Sequence, residues 1–149
     1  MKKIIISIFV ITNLLFGGIN SNDAIDYEEF DKMSSSELTR SMANEFAKSL
    51  PIRIDYLTTM TNMFGIGNRI IAKKQIKITH KDINNFWKSD RNGLIKAMYK
   101  IDSQNICNEP IWQYLILKRG VIAEFNYLDT NNKPLFNYTV EKVDCEKII

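Results

Sequence analysis

Cys107 and Cys145 are the only two cysteines in this chain of 149 residues. Whether they form a disulfide that constrains the fold depends on the compartment in which the protein folds. The chain opens with Met1-Lys2-Lys3 and continues with an apolar run of about a dozen residues, the pattern of a secretory signal peptide. We therefore expect residues 1–21 to be removed on export. An uncleaved anchor is the alternative, although the run is shorter than the roughly 20 residues of a membrane span.

An exported chain enters an oxidising environment, where a small even number of cysteines is typical of a disulfide. A Cys107–Cys145 bridge would close a loop of about 39 residues and stabilise the fold by roughly 3–4 kcal/mol. Two free thiols or half of a metal site are the alternatives. Because His80 is the only histidine, we predict no metal site. No cysteine lies near the expected cleavage region, so we expect a protein that is not a lipoprotein.

Removal of the signal leaves about 128 residues, the size of one domain. Residues 22–33 are acidic and polar and are predicted to form a flexible leader, followed by a single domain over residues 34–149. The signal contains two lysines and no acidic residue, so a net charge of +3 for the whole chain falls to about +1. The remaining basic residues are scattered among acids, which argues against nucleic-acid binding.

The periodicity of apolar residues predicts an α+β domain. Ser34 and Glu37 have the spacing of a capping box, and the helix that they start is stopped by Pro51. The pattern then predicts, in chain order, a hairpin over 52–78 with its turn at 64–68, helices over 79–107 and 110–119, and a second hairpin over 121–141. The order α-β-β-α-α-β-β predicts an antiparallel sheet of two hairpins flanked by helices.

No set of residues predicts catalysis. Acid–base chemistry needs paired groups with tuned pKa values, and His80 has no evident partner. The sequence contains no nucleophilic-serine motif, and the two cysteines are expected in the bridge. We therefore predict that the protein is not an enzyme and holds no cofactor, with an enzyme of unrecognised site as an alternative.

The segment Ile111–Leu117 is apolar around almost its whole helical circumference. Such a helix is either buried on both sides or leaves one side for a partner. We predict a partner-binding surface formed by Ile111, Trp112, Leu115 and Ile116, with Trp112 as its main contact because large aromatic residues dominate binding hot spots. The alternative is that Trp112 fills the core.

Several short motifs together resemble the single-disulfide pilotins of type II secretion systems. They are Leu50-Pro51-Ile52 at the end of the first helix, Ile106-Cys107-Asn108-Glu109-Pro110 between two helices, Leu117-Lys118-Arg119-Gly120-Val121 before the second hairpin, and Asp144-Cys145 at its close. The resemblance covers about residues 38 to 145 and implies a sheet flanked by helices and locked by a Cys107–Cys145 bridge.

The resemblance also implies a periplasmic protein that binds a short amphipathic segment of an outer-membrane secretin, by helix-in-groove recognition. This chain departs from the family in one respect. Those pilotins are lipoproteins, whereas here no cysteine is available for lipidation near the cleavage region. An inhibitor or immunity-type protein that blocks an enzyme with the loop Phe64–Asn68 is the alternative function.

Overall fold

The computed structural model describes residues 27–149. The predicted signal peptide and the first part of the predicted leader lie outside these residues. The helices are α1 (Tyr27–Lys32), α2 (Ser35–Ala47), α3 (Lys81–Ser89), α4 (Arg91–Cys107), α5 (Pro110–Gln113), a π-helical turn (Tyr114–Lys118) and α6 (Lys142–Cys145). The strands are β1 (Ile52–Arg53), β2 (Thr58–Ile66), β3 (Arg69–Ile76), β4 (Ile122–Leu128) and β5 (Pro134–Val140).

The strands form one five-stranded sheet in the order β1-β2-β3-β4-β5. The predicted α+β class and the two hairpins, β2–β3 and β4–β5, are confirmed. The sheet is mixed rather than wholly antiparallel, because β3 and β4 are adjacent and parallel. The helices between these strands return the chain to the end of the sheet at which β3 starts. Strand β4 therefore runs in the same direction as β3. An alternating apolar pattern predicts a strand, but it does not show which strands lie next to each other in the sheet.

The helices cover one face of the sheet. Along β3 and β4 the alternate residues are buried, and they are Ile70, Ala72, Lys74, Ile76, Ala123, Phe125 and Tyr127. The residues between them, such as Ile71 and Asn126, are only partly buried. This period of two is what a sheet with one covered face produces.

Helix α2 begins at the predicted capping box, in which the Ser34 hydroxyl accepts from the Glu37 N–H and the Glu37 carboxylate accepts from the Ser34 N–H. The helix lies close against β2 at Gly65. A Cβ atom there would come within 2.4 Å of the Thr39 backbone, so only glycine permits this approach. The Thr39 hydroxyl also donates to the carbonyl oxygen of Gly67 at 2.7 Å, which ties the turn of the first hairpin to α2.

The predicted disulfide is confirmed. Cys107 at the end of α4 and Cys145 at the end of α6 are bonded, with their Cα atoms 5.1 Å apart, and both residues are fully buried. The bond joins the helical segment before β4 to the short helix after β5. None of the helices in the described residues is long and apolar enough to cross a membrane.

Replacement of both cysteines, Cys107→Ala with Cys145→Ala, should reduce the free energy of unfolding by roughly 3–4 kcal/mol, because the unfolded chain regains the entropy of a 38-residue separation. Urea unfolding monitored by circular dichroism measures the difference. The parent protein treated with a thiol reductant is the control, and its free energy of unfolding should approach that of the variant. A variant as stable as the oxidised parent would contradict the assigned role of the bond.

Candidate functional site

A cleft of about 170 Å³ lies between α4 and the covered face of the sheet. Its floor is formed by apolar and aromatic side chains of β2, β3 and β4, namely Met60, Met63, Ile70, Ala72, Phe125 and Tyr127. Residues Met98, Ile101, Asp102, Asn105 and Ile106 of α4 form one wall. Their spacing of three and four residues places them on a single helical face.

The cleft opens to solvent between α4 and the first strand. On the helix side, Ile101 is 40% exposed and Met98 is half-buried. On the strand side, Ile52 and Ile54 line the cleft and are also half-buried. Apolar side chains thus remain accessible on both lips, and an apolar ligand entering here would remove more of their surface from water.

Trp112 lines this cleft and is 8% exposed. Its ring stacks on Phe46, the last buried residue of α2, with the centroids 5.5 Å apart. The other three residues predicted to contact a partner lie elsewhere: Ile111, Leu115 and Ile116 are buried at 3% exposure or less and are not among the lining residues. The partner-binding role therefore stays a prediction, and Trp112 is the residue through which it could operate.

A buried charged pair lies within the lining, which is mainly apolar but also includes Asp55, Thr58, Asn105, Glu109 and Glu124. The Lys74 ammonium donates to the Asp102 carboxylate, with Nζ and Oδ1 2.7 Å apart, and the two side chains are only 6% and 9% exposed. The other carboxylate oxygen of Asp102 accepts from the hydroxyls of Tyr127 and Tyr138 at 2.9 and 2.8 Å. The Lys74 nitrogen also lies 4.5 Å from the centre of the Phe125 ring. A buried carboxylate is thus held by three donors from β3, β4 and β5.

The two tyrosines remain protonated over the whole physiological range. Burial raises the pKa of Tyr127 well above its usual value, and the negative charge of Asp102 raises it further. The same two causes, in the same order, raise the pKa of Tyr138. Both hydroxyls therefore act as permanent donors to Asp102 and fix the position of α4 over the sheet.

One feature of the sequence points to this cluster. Lys74 stands in the apolar series of β3, between Ala72 and Ile76, where the alternation places it on the covered face. A lysine at such a position requires a buried counter-charge. Its partner could not be named, because Asp102 lies on a helix 28 residues later and the pairing depends on how α4 crosses the sheet.

His80, and the carboxylates Asp55 and Glu124 of the cleft lining, have structural roles. His80 does not line the cleft; its Nδ1 accepts from the backbone N–H of Asp82 at 3.3 Å and caps α3. Asp55 accepts from two backbone N–H groups in the turn before β2. Glu124 forms an ion pair with Arg69 at 2.9 Å. Within residues 27–149, no three histidine, cysteine or carboxylate side chains cluster as metal ligands.

The fold is similar to that of three solved structures, at low sequence identity. A candidate secreted protein from Pseudomonas aeruginosa is 16% identical, with a TM-score of 0.60 over 82% of this chain and 99% of that one. The pilotin EpsS of the Vibrio vulnificus type 2 secretion system is 10% identical, with a TM-score of 0.60 over 74% and 91%. The type II secretion pilotin AspS of Vibrio cholerae is 14% identical, with a TM-score of 0.57 over 74% and 92%.

No protein-family model and no curated protein sequence matches the chain. The structural similarity therefore establishes the fold, which is pilotin-like, as the resemblance of the short motifs implied. It covers most of each pilotin.

The substitution Asp102→Asn should reduce the free energy of unfolding by about 3–5 kcal/mol, because it leaves the buried Lys74 ammonium without a counter-charge. The double variant Lys74→Met with Asp102→Asn removes both charges, keeps an oxygen that accepts from Tyr127 and Tyr138, and should be within about 1–2 kcal/mol of the parent. Urea unfolding of the three proteins measures both differences. A single variant as stable as the parent would mean that the pair is solvated rather than buried.

Proposed function

We propose that this is an exported periplasmic protein that binds an amphipathic helical segment of another protein in the cleft beside Trp112. The proposed partner is an outer-membrane secretin, as the resemblance to the pilotin family implies. The observation that carries the proposal is the cleft itself: an apolar floor, accessible apolar side chains on both lips, and half-buried polar residues in the same lining, namely Asp55, Asn105, Glu109 and Glu124.

The shape and chemistry of the cleft suit a helix better than an extended strand. Most of its floor lies on β3 and β4, inside the sheet, where the backbone N–H and C=O groups already pair with a strand on each side. A bound segment must therefore satisfy its own backbone hydrogen bonds, which a helix does. Apolar residues spaced three and four apart would then meet the floor, and polar residues would face solvent.

The Cys107–Cys145 bond supports the proposed location. Disulfides form and persist in oxidising compartments such as the bacterial periplasm. The amino-terminal signal expected from the sequence would deliver the chain to that compartment. Fractionation of cells that produce the tagged protein, followed by intact-mass measurement of the periplasmic species, tests both points.

The alternative of an inhibitory loop has less support. The turn between β2 and β3 is tied to α2 through the Thr39–Gly67 hydrogen bond. The Asn68 side chain donates to the carbonyl oxygen of Gly120 at 3.3 Å, and the Asn68 carbonyl accepts from Ile122. These contacts hold the turn against the body of the domain, whereas an inhibitory loop needs to project into an active site.

The proposal can be tested with overlapping synthetic peptides that cover the secretin of the same bacterium, with binding followed by fluorescence anisotropy. We expect a peptide with apolar residues at helical spacing to bind, and to gain helical circular dichroism on binding. If no secretin peptide binds, a secretin is not the partner.

The substitution Ile101→Asp should weaken binding of that peptide by about 30-fold or more, because it places a charge on the apolar lip of the cleft. Ile101 is 40% exposed, so the variant should remain folded and lose only about 1–2 kcal/mol of stability. The matched control is Ile66→Asp, which introduces the same charge at a residue that is 61% exposed and outside the cleft lining. Equal binding by the two variants would place the partner elsewhere.

The variant Trp112→Ala should lose about 3–5 kcal/mol of stability, because Trp112 is almost fully buried and stacks on Phe46. Thermal unfolding measures the loss, with Trp87→Ala as the control; Trp87 is half-buried and outside the cleft lining. A Trp112→Ala protein of unchanged stability would show that the ring serves binding alone.

A further inference from the structure

The Lys74–Asp102 pair lies in the wall of a cleft whose other lining is largely apolar. A buried ion pair adds little to stability compared with apolar residues of the same volume, because the desolvation of both charges offsets their attraction. Stability alone therefore gives no reason for charges at this place. Buried polar groups in a binding site have another effect, which is to discriminate between ligands.

The Lys74 ammonium keeps a donor that the protein does not use. An ammonium group carries three N–H bonds. One donates to Asp102 at 2.7 Å, and a second reaches the Tyr127 hydroxyl at the longer distance of 3.5 Å. For the third, the described residues provide no oxygen or nitrogen acceptor; the Phe125 ring at 4.5 Å offers only its π-face.

Asp102 has no comparable spare capacity. Its two oxygens accept from Lys74, Tyr127 and Tyr138, and both tyrosine hydroxyls are directed at it. A group that entered the cleft as a donor would have to displace one of these bonds. The group that the cluster can still bind is therefore a hydrogen-bond acceptor.

We propose that Lys74 determines the specificity of the cleft by requiring one hydrogen-bond acceptor on the apolar face of the bound segment. This rests on the function proposed above. In the free protein, solvent at the open cleft can satisfy the ammonium. A wholly apolar helix would expel that solvent and leave the donor unmet, whereas a helix carrying a neutral acceptor opposite Lys74, on asparagine, glutamine or serine, would replace it.

The test uses amphipathic peptides of about five helical turns, acetylated and amidated, with leucine at the apolar positions. In a matched series each leucine is replaced in turn by asparagine, whose side chain has the same number of heavy atoms and the same branching at Cγ. Dissociation constants are measured by isothermal titration calorimetry with the mature, oxidised protein. At one position we expect the asparagine peptide to bind about tenfold more tightly than its all-leucine parent.

The variant Lys74→Met with Asp102→Leu assigns that preference to the pair. We expect the all-leucine peptide to bind this protein at least as tightly as the parent protein, and the asparagine peptide to lose its advantage. The variant Lys74→Met with Asp102→Asn retains an acceptor for the two tyrosines and serves the same purpose. Each variant is used only if its circular dichroism and thermal midpoint show a folded protein.

The outcomes separate the two proposals. If leucine binds as tightly as asparagine at every position of the parent protein, or if the double variants retain the preference, the inference about Lys74 is wrong while the binding function stands. If no amphipathic peptide binds, the proposed function is wrong, and the inference fails with it.

Discussion

The Cys107–Cys145 bond fixes the helix on which the cleft depends. Helix α4 lies over the sheet without filling the space beneath it, so its position must be held by other contacts. The disulfide anchors its carboxyl end to α6, which follows β5 directly. Hydrogen bonds from Tyr127 and Tyr138 to Asp102 hold its middle over β4 and β5. A covalent and a polar attachment thus hold α4 over the sheet, and the cleft lies between them.

The same bond also positions Trp112. Cys107 is followed after two residues by Pro110, which starts α5, and the Gln113 side chain donates to the carbonyl oxygen of Cys107 at 2.8 Å. The short helix is therefore held close to the disulfide. Its Trp112 ring stacks on Phe46 of α2, so α5 and α2 are in direct contact. Rigid placement of this kind lowers the entropy that a binding surface loses when a partner docks.

Local patterns predicted much of this fold. The capping box at Ser34, the disulfide and the two hairpins all follow from signals within a few residues or from the chemistry of an exported chain. The parallel β3–β4 pair and the Lys74–Asp102 pair could not be predicted, because each joins positions brought together only by the helical crossover. For the same reason, the sequence predicts a single surface from the apolar segment after Pro110, whereas in the fold Trp112 lines the cleft and Ile111, Leu115 and Ile116 are buried outside its lining.

The methionines and the Lys74 ammonium in the cleft have different roles in binding a partner. Met60 and Met63 on the floor and Met98 on the wall are unbranched and polarisable, so they can repack around apolar side chains of different shapes. An apolar surface of that kind supplies affinity with little discrimination. Lys74 lies on strand β3, and its ammonium group is fixed by the hydrogen bond to Asp102. Its position therefore cannot adapt in the same way. Under the proposed function, the methionines would accept many amphipathic helices, and the single fixed ammonium would decide which of them bind tightly.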